Sequence, residues 1–371
     1  MAAAAWVVVA VGTATGMMSA LDDGRGAQQA KPEVTSSPRL EQLPVVPSAS
    51  ATATKSASPP SSSPTKAGPS PTGTEPKRQP AAVSALLYRH ADSKVLDWVR
   101  DHPDDPRTPV IESRIADQPA AVWFADYTPA TITSRVRAVT SDAAAEGRVP
   151  VVVPYAIPGR DCGGASQGGA PDLAAYDAWI DGFAAGLGSG EVVVVLEPDS
   201  IAQSGCLSDR ARADRFASLA RAGRVLKTAD PRARVYYDAG HSGWNPAAQQ
   251  AALLKEAGAA STASSDGIFS NVSNFQTTSD EIAYDRQVLA GLGGPAGLGA
   301  VIDTSRNGNG APADGEWCDP AGRRIGRAPT LSTGEARIDA YLWVKLPGES
   351  DGCKGAPGTF SPSYAYDLAS S

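Results

Sequence analysis

Residues 191–200, EVVVVLEPDS, restrict what this chain can fold into more than any other stretch. Four valines and a leucine follow one another, so the segment cannot alternate between a wet face and a dry one. A strand of this kind is buried on both sides, as in a parallel sheet covered by helices. The run then stops at Glu197, Pro198 and Asp199. Proline has no N–H to give to a sheet ladder, so pairing is expected to end there. A carboxylate is thereby placed at the C-terminal end of a buried strand, where parallel α/β barrels carry their chemistry.

The same grammar recurs along the chain. Apolar runs at 120–127, 149–155, 233–244, 266–275, 299–310 and 338–346 read as further strands. Segments 85–100, 111–116, 132–147, 173–187, 209–228, 246–259 and 279–292 read as helices. Within 173–187, Tyr176, Trp179, Ile180 and Phe183 share one face at three-to-four spacing. Phe216, Leu219, Ala220, Gly223 and Leu226 do the same in 209–228. This alternation of seven or so strands with helices or long loops predicts one parallel α/β barrel domain at 83–371.

The sequence before residue 83 is of another kind. Residues 1–27 begin with an Ala-, Val- and Met-rich stretch of signal-peptide length, although no Lys or Arg precedes Arg25. Export is the expectation, and an uncleaved membrane anchor the alternative. Residues 28–82 are rich in Ser, Thr and Pro and have too few large apolar side chains to fold, so they read as a linker. A net charge of -7 argues against a nucleic-acid partner. Three histidines, and four cysteines without CxxC spacing, give no structural zinc site, and no metal or cofactor is expected. In an oxidising destination the four cysteines would form two disulfides.

Polar residues gather where the apolar runs end: Tyr155, Arg160 and Asp161; Asp199; Asp238, His241 and Trp244; Asn274; Asp303 and Arg306; Lys345, Glu349 and Asp351. A single such acid serves equally well as a helix cap. Several converging on one rim raise one another's pKa, an arrangement suited to acid–base work. Trp123, Trp244 and Trp317 lie in strand-end or loop contexts, where indoles stack on sugar rings, whereas Trp98, Trp179 and Trp343 read as core. No Ser-His-Asp order, phosphate-cradling loop or HExxH is present.

Residues 155–163 (YAIPGRDCG) and 193–202 (VVVLEPDSIA) resemble the signatures of glycoside hydrolase family six, the β-1,4-endoglucanases and cellobiohydrolases. DAGHSGW, VIDTSRNGNG, EWCDP and WVKLPGESDGC look like further motifs of that family in the expected order. The resemblance implies a distorted seven-stranded parallel α/β barrel with its cleft at the C-terminal strand ends, and inverting hydrolysis, in which one carboxylic acid protonates the leaving oxygen and a base on the other face of the sugar activates water. Carried over motif by motif, it makes Asp199 the general acid and Asp351 the candidate base. Asp161 becomes the neighbour that tunes the acid or relays the water's proton. Tyr155 presses on the ring being cleaved, and Asp238 and Arg160 support the carboxylates. Trp123, His241, Trp244, Asn274, Trp317, Lys345 and Glu349 match glucose-binding positions. The implied disulfides are Cys162–Cys206 and Cys318–Cys353. Asp303 and Arg306 are expected to form a structural pair, and Glu197 to be structural.

Gln167, Ala156 and Phe275 depart from the family's usual residues and bear on individual sugar contacts. The resemblance implies a monomer acting outside the cell on a β-1,4-glucan, with membrane contact only through an N-terminal anchor. Short connections between the motifs favour an open, endo-acting cleft over a roofed, cellobiose-releasing one. A carbohydrate-binding surface protein without catalysis is the alternative from another class.

Overall fold

The computed structural model describes residues 86–164 and 166–370. The expected export segment at 1–27 and the linker at 28–82 lie outside the described residues. Seven strands follow in chain order: β1 Val122–Phe124, β2 Val151–Pro154, β3 Val192–Leu196, β4 Ala233–Asp238, β5 Gly267–Ser270, β6 Gly299–Asp303 and β7 Ile338–Leu342. Each pairs in parallel with the next, so the order in the sheet is the order in the chain. The outcome is the expected α/β fold, a curled, incompletely closed barrel.

The valine run behaves as its composition demands. Val193 and Val195 point into the barrel beside Val153, Tyr236, Phe269 and Val301. Val192, Val194 and Leu196 point outward, under the helices, with Val152, Val235, Tyr237 and Ile268. Side chains alternate faces along a strand, and here both faces are dry. Full burial of one such side chain contributes about 1.5–3 kcal/mol.

The helices are α1 Lys94–Asp101, α2 Thr108–Ile111, α3 Ile132–Ala145, α4 Leu173–Gly186, α5 Asp209–Ala229, α6 Ala247–Glu256, α7 Thr278–Leu292 and α8 Pro362–Ser370. Side-chain caps start three of them: Asp172 accepts from Ala175 N at 2.8 Å, Ser208 from Ala211 N at 3.3 Å and Thr277 from Asp280 N at 3.2 Å. The predicted inward faces of α4 and α5 are buried, except that Ala220 sits at the margin of its face.

Two expectations need correction, and one element was not foreseen. The helix expected over 85–100 forms only from Lys94. Tyr88 N donates to Val149 O at 2.8 Å and Val149 N to Leu86 O at 3.0 Å. Leu87 thereby lies against the barrel interior, where strand-like pairing beside Val149, just ahead of β2, buries it better than one turn of helix would. The helix expected at 111–116 is the end of α2 followed by a π turn, Glu112–Ala116. The segment 362–370, given no element in the sequence reading, forms α8. Its Tyr364, Ala365, Leu368 and Ala369 complete a third core with Val95, Ile111, Ile115 and Trp343. Trp343 and Trp179 are core as expected, and Trp98 is half-buried.

The barrel has a seam. β1 and β7 share no ladder and are joined by Ala121 N donating to Trp343 O at 2.9 Å and Trp123 Nε1 to Val344 O at 2.7 Å. The groove described below runs over this seam.

α5 packs tightly on the sheet through Gly223, where a methyl group would collide with the Tyr237 hydroxyl and the Ser264 carbonyl. Alanine favours helix by about 1 kcal/mol over glycine. Gly223→Ala is nevertheless expected to lower stability by about 1–3 kcal/mol through overpacking, read from thermal or urea unfolding. Stability at or above the parent's would mean that α5 can move off β4 at little cost.

Candidate active site

The backbone turns sharply where β3 ends. Glu197 has φ 51° and Asp199 φ 68°, both left-handed and both unfavourable for residues with a Cβ. Each such residue costs on the order of 1 kcal/mol or more and persists only where its surroundings enforce it. The Glu197 carboxylate supplies part of that enforcement. It is fully buried and accepts from Ala156 N at 2.9 Å and Ile157 N at 3.0 Å, the first peptides after Tyr155. Burial pushes its pKa up to about 7, with the two amides and the charge of Arg160 opposing.

The loop after β2 is held almost peptide by peptide. Arg160 Nη1 donates to the carbonyls of Tyr155 and Ala125, and its Nε to Ser166 O at 2.8 Å. Its guanidinium lies over the Tyr155 ring at 4.2 Å. Arg215, buried on α5, donates to Pro158 O at 2.8 Å and Gly159 O at 3.2 Å, and reaches Ser200 O at 3.5 Å. The disulfide Cys162–Cys206 then ties this loop to the one after β3.

The carboxylates meet at this corner. The Tyr155 hydroxyl donates to Asp199 Oδ2 at 3.4 Å. Asp199 is pushed up to about 7, first by burial, then by the charges of Asp238 and Asp161. Asp238, at the end of β4, accepts from Ile201 N at 3.0 Å, Ala202 N at 2.8 Å and Gly240 N at 3.0 Å. Its pKa is raised by burial, against the pull of those amides. Asp161, left-handed at φ 58°, accepts from Ser166 N at 2.6 Å through Oδ2. Among the described residues its Oδ1 has no donor.

Asp351 stands in the opposite company. Its Oδ2 takes Arg306 Nη1 at 2.7 Å and Asp319 N at 3.1 Å, and its Oδ1 faces Lys345 Nζ at 3.3 Å. The expected Asp303–Arg306 pair is therefore corrected: the ion-pair partner of Arg306 is Asp351. Asp303 instead accepts from the backbone N–H groups of Ser273, Ser305, Val344 and Lys345. Asp319, in EWCDP, has its pKa lowered. Burial works against that direction, but the Ser350 hydroxyl and the N–H groups of Asp351, Cys353 and Lys354 outweigh it. It shapes the loop carrying Asp351, together with Cys318–Cys353.

A groove of about 1120 Å³ runs across these strand ends. Trp123, His241, Trp244, Asn274, Trp317, Lys345 and Glu349 all line it, as do Tyr155, Arg160, Asp161, Asp199 and Asp351. Of the residues given a catalytic or sugar-binding role by the resemblance, Asp238 alone does not; it is buried behind the others. Trp317 is 57% exposed and Trp244 37%, so two indole faces stay open inside a concave surface. Trp123 meets Tyr155 edge-on at 5.2 Å. Burial brings the His241 pKa down to about 4, leaving the imidazole neutral near pH 7. Glu349 pairs with Lys94 Nζ at 3.4 Å, fastening the groove's N-terminal wall to its C-terminal one. Among the described residues no group of three or more His, Cys, Asp or Glu is arranged to hold a metal ion.

Sequence reasoning missed Arg215 and Asp319. Arg215 is an unexpected cation on a helix face that also carries Phe216 and Leu219. Asp319 sits inside a quoted motif, but its partners lie 31–35 residues away. The 89–96 segment also lines the groove, hidden by the overlong helix expected there.

Comparison with known proteins agrees with this architecture. The family model described as glycosyl hydrolases family 6 matches residues 82–367. Endoglucanase 1 of Streptomyces sp. (strain KSM-9) is 54% identical over 298 residues, 80% of this chain and 81% of that protein. Endoglucanase A of Thermobispora bispora is 49% identical over 289 residues, 78% of this chain and 62% of its own length. The structure of the endoglucanase Cel6 from Mycobacterium tuberculosis, in complex with methyl-cellobiosyl-4-deoxy-4-thio-β-D-cellobioside, matches with a TM-score of 0.71 at 39% identity. It covers 77% of this chain and 97% of that one.

A raised carboxyl favours the fold while protonated and loses that contribution as pH climbs through its folded value, here about 7 for Asp199. Asp161→Asn removes one of the like charges and is expected to move the Asp199 midpoint down. Carboxyl-carbon NMR titration reads the shift. An unmoved midpoint would leave burial and Asp238 as the whole cause.

Proposed function

The chain belongs to glycosyl hydrolase family 6, and from that premise we propose that it is an endo-acting β-1,4-glucanase cleaving internal bonds of cellulose or related β-glucans with inversion. The observation that carries the reading is Asp199. It is a carboxyl with pKa about 7, aimed into a groove with two open indole faces. Such a group holds its proton near neutral pH and can still give it up.

In the proposed reaction Asp199 donates its proton to the glycosidic oxygen as the C1–O bond breaks. A water attacks C1 from the other face and its proton passes to a carboxylate, so one bond forms, one breaks and the charges balance. The base is Asp351 or Asp161. Both oxygens of Asp351 are engaged by Arg306, Lys345 and the Asp319 amide. Asp161 keeps Oδ1 without a donor among the described residues, which favours Asp161 as the group that takes the proton. Asp351 then holds the two cations beside the sugar. Tyr155, fixed by Arg160 and Trp123, gives the wall against which the ring distorts. The exposed tryptophans and neutral His241 suit uncharged sugar. Two disulfides suit action outside the cell, since such bonds persist in oxidising compartments.

Viscometry on carboxymethylcellulose with parallel reducing-end assay tests the endo mode. The expected outcome is a steep loss of viscosity at low bond cleavage, with the α-anomer first seen by NMR. Slow viscosity loss with cellobiose as the sole early product would instead indicate chain-end action, and a first-formed β-anomer would exclude inversion.

Asp199→Asn is expected to reduce hydrolysis of polymer by roughly 10²–10⁴-fold or more while leaving binding in place. Undiminished turnover would remove Asp199 from the role of acid, and turnover absent from the parent as well would leave only a binding protein.

A further inference from the structure

Two acids outside the groove have no part in the reaction above. Glu281 and Asp285 lie one helical turn apart on α7, and both are fully buried. Side chains at this spacing stand side by side. Glu281 Oε1 accepts Ser242 N at 2.8 Å, from the loop that carries His241 and Trp244. Asp285 Oδ2 accepts the Ser270 hydroxyl at 3.0 Å, at the end of β5. The remaining oxygens, Glu281 Oε2 and Asp285 Oδ1, are buried with no partner. Among the described residues neither acid has a Lys, Arg or His within ion-pair distance.

From α7 itself Asp280 and Tyr284 face the pair, and Tyr284 donates to Ala239 O at 2.9 Å. From the neighbouring elements come Ser242 and Ser270, with Asp238 acting on Tyr284. Two adjacent carboxylates without a cation cannot both stay ionised in a dry interior, whereas one proton between them satisfies both orphan oxygens. Burial and mutual repulsion push both upward.

We infer that Glu281 and Asp285 share one proton and act together as positioning residues, clamping the His241–Trp244 loop to α7 and β5 so that its imidazole and indole are presented to the sugar. The positioning half rests on the function proposed above; the shared proton does not. Loss of that proton at alkaline pH sets two like charges against each other and loosens the loop.

The test compares Glu281→Gln, Asp285→Asn and Glu281→Ala with the full-length parent, using melting temperature from neutral to alkaline pH and KM and kcat on carboxymethylcellulose. Glu281→Gln keeps the acceptor for Ser242 and supplies an amide N–H in place of the shared proton. It is expected to keep the parent's neutral KM, to melt above the parent at alkaline pH, and to hold its KM where the parent's rises. Asp285→Asn should flatten the melting curve in the same way. Glu281→Ala orphans the Ser242 amide and is expected to raise KM roughly tenfold with kcat little changed. Glutamine and asparagine variants that lose stability with pH as the parent does would overturn the shared proton. If Glu281→Ala fails to fold, those melting curves decide alone. An alanine variant that folds and keeps the parent's KM would overturn the positioning role. A parent inactive on glucan would sink the proposed function and the positioning role with it, while the melting curves still decide the proton.

Discussion

Asp199 is held next to Asp238 and Asp161, and much of the surrounding structure follows from the cost of that proximity. Like charges in a poorly solvated corner repel, and a free chain would separate them. Here the separation is blocked from three sides. Left-handed turns at Glu197 and Asp199 fix the exit from β3, Asp238 is bonded to the peptides that follow the acid, and Cys162–Cys206 pins the Asp161 loop. The energy that would be released by relaxation is kept as a raised proton affinity.

That arrangement requires a loop after β2 that does not give way. Its carbonyls at Tyr155, Pro158 and Gly159 are taken by Arg160 and Arg215, and its amides at Ala156 and Ile157 by Glu197. Three buried or nearly buried charges thus spend their hydrogen bonds on one short piece of main chain. Hydrogen bonds to ionised groups contribute about 1.5–3 kcal/mol each, enough in combination to hold left-handed residues that carry side chains. Glu197, one residue before the Pro198 that ends the ladder, belongs to this scaffold and not to the chemistry.

The sheet and most of the groove were legible in the sequence because both rest on periodicity. Runs such as VVVVL and the Tyr176–Phe183 face have no other low-energy placement, and an acid after such a run lands on the rim. Pairings among residues that reach the rim from different strands carry no such signal. Asp303 and Arg306 share a strand end, yet Arg306 reaches Asp351, 45 residues on, because Asp303 is saturated by backbone N–H groups. Leu87 shows the same limit: pairing beside Val149, just ahead of β2, offered it more burial than a helix, and only the fold reveals that place. The membership of Glu281 and Asp285 in one pair was equally invisible, since acids on a helix ordinarily face water.

Hydrogen bonding separates the acids that hold loops from the acid proposed to act. Asp238, Asp303 and Asp319 sit at strand ends or in rim loops, and each is ringed by backbone N–H groups that hold its charged form and fix a loop. Asp199 occupies the same rim, yet among the described residues its side chain has one weak donor, the Tyr155 hydroxyl at 3.4 Å. Backbone amides oppose the upward push of burial on Asp238, whereas on Asp199 burial is joined by the charges of Asp238 and Asp161. The proton affinity of Asp199 is raised by that burial and repulsion, with the Tyr155 hydroxyl opposing. The loops those neighbours hold are the same loops that line the groove. The proton affinity of Asp199 and the shape of the loop that follows it thus both depend on how Asp238 is held, so a change to Asp238 would disturb both together.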